Sequence, residues 1–307
     1  MMWWLGKELS KRGHEITYLV EKGSSCPFAQ IQTIDKRSIQ EQITADTDVV
    51  HLFFQPRQEI DKSYLITNQG NVPDDEKDLP LDQNTVFVSK NHAERHDATC
   101  FVYNGIDPED YGQPDLGLKR KHLHFLAKTS WKLKNLKDAV TIAEKSGILL
   151  EVMGGNRLNI KMGLNFTSSQ NVHFNGMIGG KKKNAILNSS KGLLFPVLWH
   201  EPFGIAMIES LYFGCPVFGI THGSLPEIVN DDVGYLSNSG DDLVQAITQS
   251  QFGSQRCHEY MMEHFTAKRM TDDYLSLYGK ILNGQFLNSQ EPSAEKTKKE
   301  GPFEPLF

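Results

Sequence analysis

Residues 199–209, Trp-His-Glu-Pro-Phe-Gly-Ile-Ala-Met-Ile-Glu, set two carboxylates, Glu201 and Glu209, eight positions apart around a turn. The stretch reads as the start of a helix. Glu201 is an acceptable cap, Pro202 suits the first helical position because its missing N–H is not needed there, and Gly204 lets a ligand approach the backbone closely. The amides of Phe203, Gly204 and Ile205 would then point outward, and with the helix dipole behind them a diphosphate is a natural guest. On a continuous helix the two glutamates would stand roughly 12 Å apart along the axis. A glycosidase pair flanks one bond with carboxyl groups about 5 to 9.5 Å apart, so this spacing suits an extended ligand better than a shared acid and base role. Spacing alone is also met by two solvated carboxylates, and the surrounding residues have to decide.

Those surroundings alternate strand and helix. Strands expected near 123–127, 148–153, 171–174, 193–197 and 216–220, separated by helix-length segments, predict a doubly wound α/β unit whose fourth strand leads into the glutamate stretch. Residues 1–12 predict a helix with Leu5 and Leu9 on one face and Gly13 as its stop. Further β-like runs follow at 15–21, 29–34, 49–54, 64–68, 86–89 and 100–103, several continuously apolar, as in a buried parallel sheet. The turn-rich segment 108–118 marks a boundary. Met270 to Leu282 carries Tyr274, Leu277, Tyr278 and Ile281 in a helical stripe, read as core. The polar, turn-rich residues 284–307 read as a disordered tail. The expected domains are therefore 1–110, 111–265, a helix at 266–283, and the tail.

The glutamate pair with seven residues between, preceded by Leu-Leu-Phe-Pro-Val-Leu-Trp, resembles the signature of retaining family-4 glycosyltransferases of the GT-B fold. Gly214-Cys215-Pro216-Val217 is similar to that family's Gly-x-Pro-Val strand start, and Gly223 to Val229 to its Gly-x-x-Pro-Glu-x-(Val/Ile) helix. Val172 to Lys183 resembles the loop that faces the nucleotide base, and Asn104-Gly105-Ile106-Asp107 the segment leading into the interdomain linker. The Trp-x-Glu-Pro-Phe-Gly wording with Gly-Gly-x-x-Lys looks nearest to the branch containing avilamycin-pathway-type transferases.

The resemblance implies two Rossmann-like doubly wound domains facing a cleft, with helix 266–283 crossing back to the first domain. It implies transfer of a glycosyl group, with retention, from a UDP- or GDP-sugar to a glycan, lipid-linked or small-molecule acceptor, without metal or cofactor. Glu201 would hold sugar hydroxyls and Glu209 the ribose. Phe203, Gly204 and Ile205 would line the donor, with Met177 and Ile178 in the base-facing loop. Lys128 would replace the family's usual Arg, and Lys134, or Lys132 as the alternative, its second cation; both would stabilise the leaving diphosphate. Lys is a point charge without bidentate geometry. A solvated basic helix start is the competing reading of these lysines.

Two features depart from the family. Its opening strand and Gly-rich loop have no counterpart, so the first domain is expected to be truncated, with a second chain as one means of completing it. Its Thr-x-His-Gly turn is replaced by Thr67-Asn68-Gln69-Gly70, where Gln69, the acceptor-side candidate, can hydrogen-bond a sugar but cannot titrate. A truncated relative that binds a nucleotide sugar or a partner chain without efficient transfer is thus the alternative function, and a GT-B epimerase is a third.

The remaining signals are bland. The 307 residues carry 32 basic and 38 acidic side chains for a net charge of −6, unlike a nucleic-acid binder. Four scattered cysteines, no apolar run of membrane-spanning length and no signal peptide predict a cytoplasmic protein with reduced thiols. His92 and His96 lie four apart without a third ligand nearby and read as surface histidines rather than a zinc pair. Lys181 to Lys183 read as a solvated helix start with at most a minor electrostatic role. Gly154-Gly155-Asn156 lacks the Gly-x-Gly-x-x-Gly form of a dinucleotide site.

Overall fold

A computed structural model describes residues 1–72, 80–159, 165–166, 169–294 and 303–307. The chain forms two compact α/β units, Met1–Asp107 with Phe265–Thr297, and Pro108–His264 with Lys298–Phe307.

Unit 1 opens on α1 (Met2–Lys11), which buries Leu5 and Leu9 one turn apart and stops where Gly13 takes φ +87. Strands β1 (Thr17–Val20) and β2 (Gln30–Thr33) pair in parallel. After the short α2 (Ile39–Gln42), started by a Ser38–Glu41 capping box, β3 (Val49–Leu52), β4 (Ser63–Asn68) and β5 (Thr85–Phe87) form a separate parallel sheet. Beyond β5, Phe101 adds only a bridge to Phe87, so the expected strand at 100–103 shrinks to one pair. The short α3 (Lys90–Glu94) follows β5.

Unit 2 holds one six-stranded parallel sheet. Its strands are β6 (His122–Leu126), β7 (Leu150–Met153), β10 (Val172–Phe174), β11 (Ser190–Phe195), β12 (Val217–Gly219) and β13 (Gly234–Leu236), in the order β10-β7-β6-β11-β12-β13. Between β7 and β10 runs a two-stranded antiparallel pair, β8 (Leu158–Asn159) and β9 (Asn165–Phe166). The helices are α4 (Leu136–Ser146), α5 (Gly180–Asn188), α6 (Ile205–Tyr212), α7 (Leu225–Ile228), α8 (Gly240–Gln249) and α9 (Ser254–His264). Leu123, Phe125, Ile142, Leu150, Val152 and Leu194 are sealed in the core between sheet and helices. The chain runs outward from β6 to β7 and β10, then returns to β11 beside β6 and continues the other way. The strand order therefore reverses between β6 and β11, and open α/β sheets bind ligands beyond the carboxyl ends of strands at such a point.

The last helix, α10 (Ala267–Leu282), is capped by Thr266 and belongs to unit 1. Its stripe Met270, Tyr274, Leu277 and Ile281 packs with Leu5, Leu9, Leu65 and Val86, as the periodicity predicts. Of the expected tail at 284–307, residues 295–302 lie outside the described residues, and the described ones depart from the tail reading. Asn288 is 4% exposed, and its side chain accepts from the Thr99 and Cys100 amides and donates to the Gln83 and Thr85 carbonyls. Phe303–Phe307 pack on unit 2. The polar composition hid these contacts because only a few inserted side chains and backbone bonds make them. Among the described residues no helix is long and apolar enough to cross a membrane.

Candidate functional site

At the reversal point, the loop after β6 carries Lys134 and the loop after β11 carries Glu201. Their side chains meet at 2.5 Å, with 13% and 9% of each exposed. Glu201 Oε2 also accepts from the Trp199 indole at 2.9 Å. The ammonium lies 5.1, 4.9 and 5.5 Å from the ring centroids of Trp131, Trp199 and Phe195. An aromatic box of this kind excludes water and holds a cation by its ring quadrupoles. Among the described residues the hydrogen bonds to the Glu201 carboxylate fall on Oε2, so Oε1 is the oxygen available to a ligand hydroxyl.

The Lys134 loop is built for this. Asn135 takes a left-handed φ of 56 and accepts from the Asp138 amide, starting α4, while its Nδ2 donates to the Pro196 carbonyl and ties the loop to β11. Of the two lysines that the sequence offers as a second cation, Lys134 pairs with Glu201 and Lys132 is exposed. Lys128 is exposed in the turn after β6 and takes no part in the Glu201 pair.

Glu201 and Pro202 do not begin the helix, contrary to the capping argument. The first helical residue is Ile205, and Gly204 with φ +81 is the cap. The chain must turn sharply there, and a Cβ on Gly204 would meet Met207 Cε at 2.7 Å, so glycine conformation outweighs the Pro preference. The glutamates therefore do not share one helix, and the helical rise does not measure their separation. Phe203 is 2% exposed, and its carbonyl accepts the Ser224 hydroxyl. The Ser224 amide donates to the Glu201 carbonyl, and a Cβ at Gly223 would fall 2.5 Å from the Glu201 nitrogen. This explains why a Gly-Ser turn precedes α7: it clasps the backbone on both sides of Pro202.

Glu209, on α6, is 8% exposed. Its Oε1 accepts from Lys183 at 2.6 Å and from the Tyr111 hydroxyl at 2.5 Å, and Lys183 lies 5.0 Å from the Tyr111 ring centroid. Burial and the neighbouring carboxylate drive the Tyr111 phenol pKa far up, so it stays a proton donor in this bond. The Tyr111 carbonyl accepts from Asn184, and Tyr212 donates to the Gly112 carbonyl, which together hold that loop. Lys183 is thus no solvated lysine, unlike exposed Lys181 and Lys182. Only the phase of α5 separates the three, and Tyr111 stands 98 positions from Glu209, beyond any local pattern.

The other candidates are placed apart from these pairs. Met177, 79% exposed, and half-buried Ile178 lie in the loop between β10 and α5. Gln69 belongs to unit 1, where it exchanges side-chain hydrogen bonds with Asn104 at 3.3 and 3.4 Å. His92 and His96, expected at the surface, are both buried, with ring centroids 5.3 Å apart.

Beneath α6, His124 is buried between the Ser190 hydroxyl at 2.6 Å and that of Ser210, next to Glu209, at 2.8 Å. Burial, with His122 and Arg120 adding to it, lowers its pKa to about 3. The unfolded imidazole titrates at about 6.5 and binds a proton that the folded one refuses, so stability is full above that pH and is lost as the pH falls toward 3. Urea unfolding of His124→Gln should show a shallower loss between pH 7 and 4 than the parent, by about one proton taken up on unfolding near pH 5. An unchanged slope would remove His124 from the account.

Residues 115–255 match the family described as Glycosyl transferases group 1. The chain is 26% identical over 166 residues to the O-antigen chain mannosyltransferase C of Escherichia coli, covering 50% of this chain and 45% of that protein. It is 25% identical over 206 residues to the N-acetyl-alpha-D-glucosaminyl L-malate synthase of Bacillus anthracis, covering 59% and 53%. The chain therefore spans about half the length of these curated relatives. A glycosyltransferase involved in avilamycin A biosynthesis has the same fold, with TM-score 0.71 and 19% identity over 92% of this chain and 88% of that one. The α/β fold is that of GT-B glycosyltransferases.

Proposed function

We propose that the protein transfers a glycosyl group from a nucleotide-sugar donor, a UDP- or GDP-sugar, to a sugar or lipid-linked acceptor with retention at the anomeric carbon. The observation that carries this reading is the pair of lysine-held glutamates in unit 2, each with one oxygen turned to a protein cation and the other open to a hydroxyl. Glu201 Oε1 would hold sugar hydroxyls, and the second oxygen of Glu209 the ribose. Lys134 and the first amides of α6 would meet negative charge as the bond from the anomeric carbon to the diphosphate oxygen breaks. The acceptor oxygen would bond to the same face of that carbon, and its proton would pass to the leaving phosphate oxygen. Lys128, exposed beside this loop, would approach the diphosphate from the solvent side, and Met177 and Ile178 the base. Gln69 remains the acceptor-side candidate of unit 1.

Thermal-shift titration against UDP-, GDP- and ADP-sugars tests the reading, since a ligand that binds the folded state raises its melting temperature. The shift and any turnover should persist in excess chelator, because lysines and a helix start serve the diphosphate. A strict requirement for magnesium or manganese would overturn the metal-independent assignment. A second reading, donor binding without efficient transfer, is favoured by the division of the unit 1 strands into two separate parallel sheets. A donor-induced shift without transfer to a cell-derived acceptor pool would select it.

A further inference from the structure

The residues that hold Lys134 and Glu201 together are themselves held by a third segment, Phe303–Phe307. The Leu198 amide donates to the Leu133 carbonyl at 2.8 Å, and the Leu198 carbonyl accepts from the Phe303 amide at 2.9 Å. Residues 133, 198 and 303 thus lie in one hydrogen-bonded row, with Lys134 one position from its first member and Glu201 three from its second. The Phe303 ring stacks on His222 with centroids 3.7 Å apart and planes 13° from parallel, and meets His200 edge-on at 4.9 Å. His222 begins the Gly-Ser turn that clasps Glu201, and His200 precedes it. Farther on, the Leu306 amide donates at 2.6 Å to Asp138 Oδ2, the oxygen that also accepts from Asn135 at the start of α4. Phe307 lies under the Lys145 ammonium at 4.1 Å, in space left by the missing side chain of Gly240.

We propose that Phe303–Phe307 is a positioning strap for the donor site, with Phe303 as its principal residue. It joins two loops, which carry opposite charges of the Lys134–Glu201 pair and come from strands that are neighbours only in the sheet. Loops have few regular backbone bonds, so their mutual placement depends on such cross-links. The strap does not touch substrate. It acts through Leu198, His222 and Asp138, and so affects the sugar-diphosphate end of the site while leaving the Glu209–Lys183–Tyr111 end alone. This assignment rests on the proposed role of the Lys134–Glu201 pair, but the strap itself is tested without a ligand.

Amide hydrogen exchange on the full chain compares the parent with Phe303→Ala, Phe303→Trp and His222→Ala. In Phe303→Ala and in His222→Ala, peptides covering 130–136 and 197–204 should exchange about tenfold faster, while those covering β12 and the last turns of α6 keep their rates. Phe303→Trp, which keeps a stacking ring, should restore the parent pattern. In parallel, the affinity of Phe303→Ala for UDP and for GDP should fall about tenfold, while that for UMP and GMP holds. Unchanged exchange in both loops, or uniform acceleration throughout unit 2 in both alanine variants, would overturn the strap. Failure of the parent chain to bind any of the four nucleotides would instead overturn the proposed function, and the exchange result would still decide the strap.

Discussion

Lys134→Met should cost about 3 kcal/mol of stability, at the low end for breaking a buried ion pair. The variant leaves the Glu201 carboxylate mostly buried, with the Trp199 indole N–H as its remaining side-chain donor. Glu201→Gln should cost less, about 1 to 2 kcal/mol, because the orphaned ammonium keeps three aromatic rings within 5.5 Å. Activity should not follow that order. In the proposed function each variant removes a group assigned to the sugar or the diphosphate, so each should lose about two to three orders of magnitude in transfer rate. The double variant should then be more stable than the sum of the single losses predicts, by about 1 kcal/mol or more, because two direct partners do not act independently. Denaturant unfolding of all four proteins measures the coupling. Additive stability losses, or single variants that retain full transfer, would show that the pair is neither a unit nor part of the site.

How much of this site could be read from residues alone depends on whether the partner was local. Glu201 and Glu209 stand out because Pro202, Gly204 and the apolar run before them constrain the backbone over a short range. Five of the six parallel strands of unit 2 were legible from apolar segments that alternate with helix-length stretches, whereas β13 (Gly234–Leu236), three residues long with Tyr235 exposed, gave no such signal. The start of α6 was misplaced because Pro202 and Glu201 satisfy capping preferences that Gly204, with its positive φ, overrides in three dimensions. Lys183 was illegible among three consecutive lysines because helix phase, not residue type, selects the one that reaches Glu209. Tyr111 sits in a linker with no periodicity at all. The histidines at 92 and 96 look polar and therefore exposed, yet burial makes them poor proton acceptors, with His96 lowered to about 4. The strap escaped for the opposite reason to the strands: its apolar residues are too few and too broken by Glu304 and Pro305 to form a pattern.

Glu209→Ala should weaken binding of the best nucleoside diphosphate by about ten- to a hundredfold, the equivalent of about 1.5 to 3 kcal/mol for a hydrogen bond to a charged acceptor. Glu201→Ala should leave that affinity nearly unchanged and damage transfer of the sugar instead, because its open oxygen is assigned to the other end of the donor in the proposed function. Lys183 and Tyr111 sharpen the test. Both donate to the same oxygen, Oε1, and so fix the carboxylate's orientation, with Oε2 the oxygen proposed for the ribose. Tyr111→Phe removes one of these bonds without altering charge, and should loosen nucleotide binding less than Glu209→Ala does. Lys183→Ala leaves an almost buried carboxylate without its cation, so it should weaken both folding and binding, and more for the nucleotide than for the free ribonucleoside because a positive charge has been lost. Titration calorimetry of UDP, GDP and uridine against the four variants separates these effects. Unchanged nucleoside diphosphate affinity in Glu209→Ala, with the protein folded, would remove the ribose assignment and with it the division of the donor between the two glutamates.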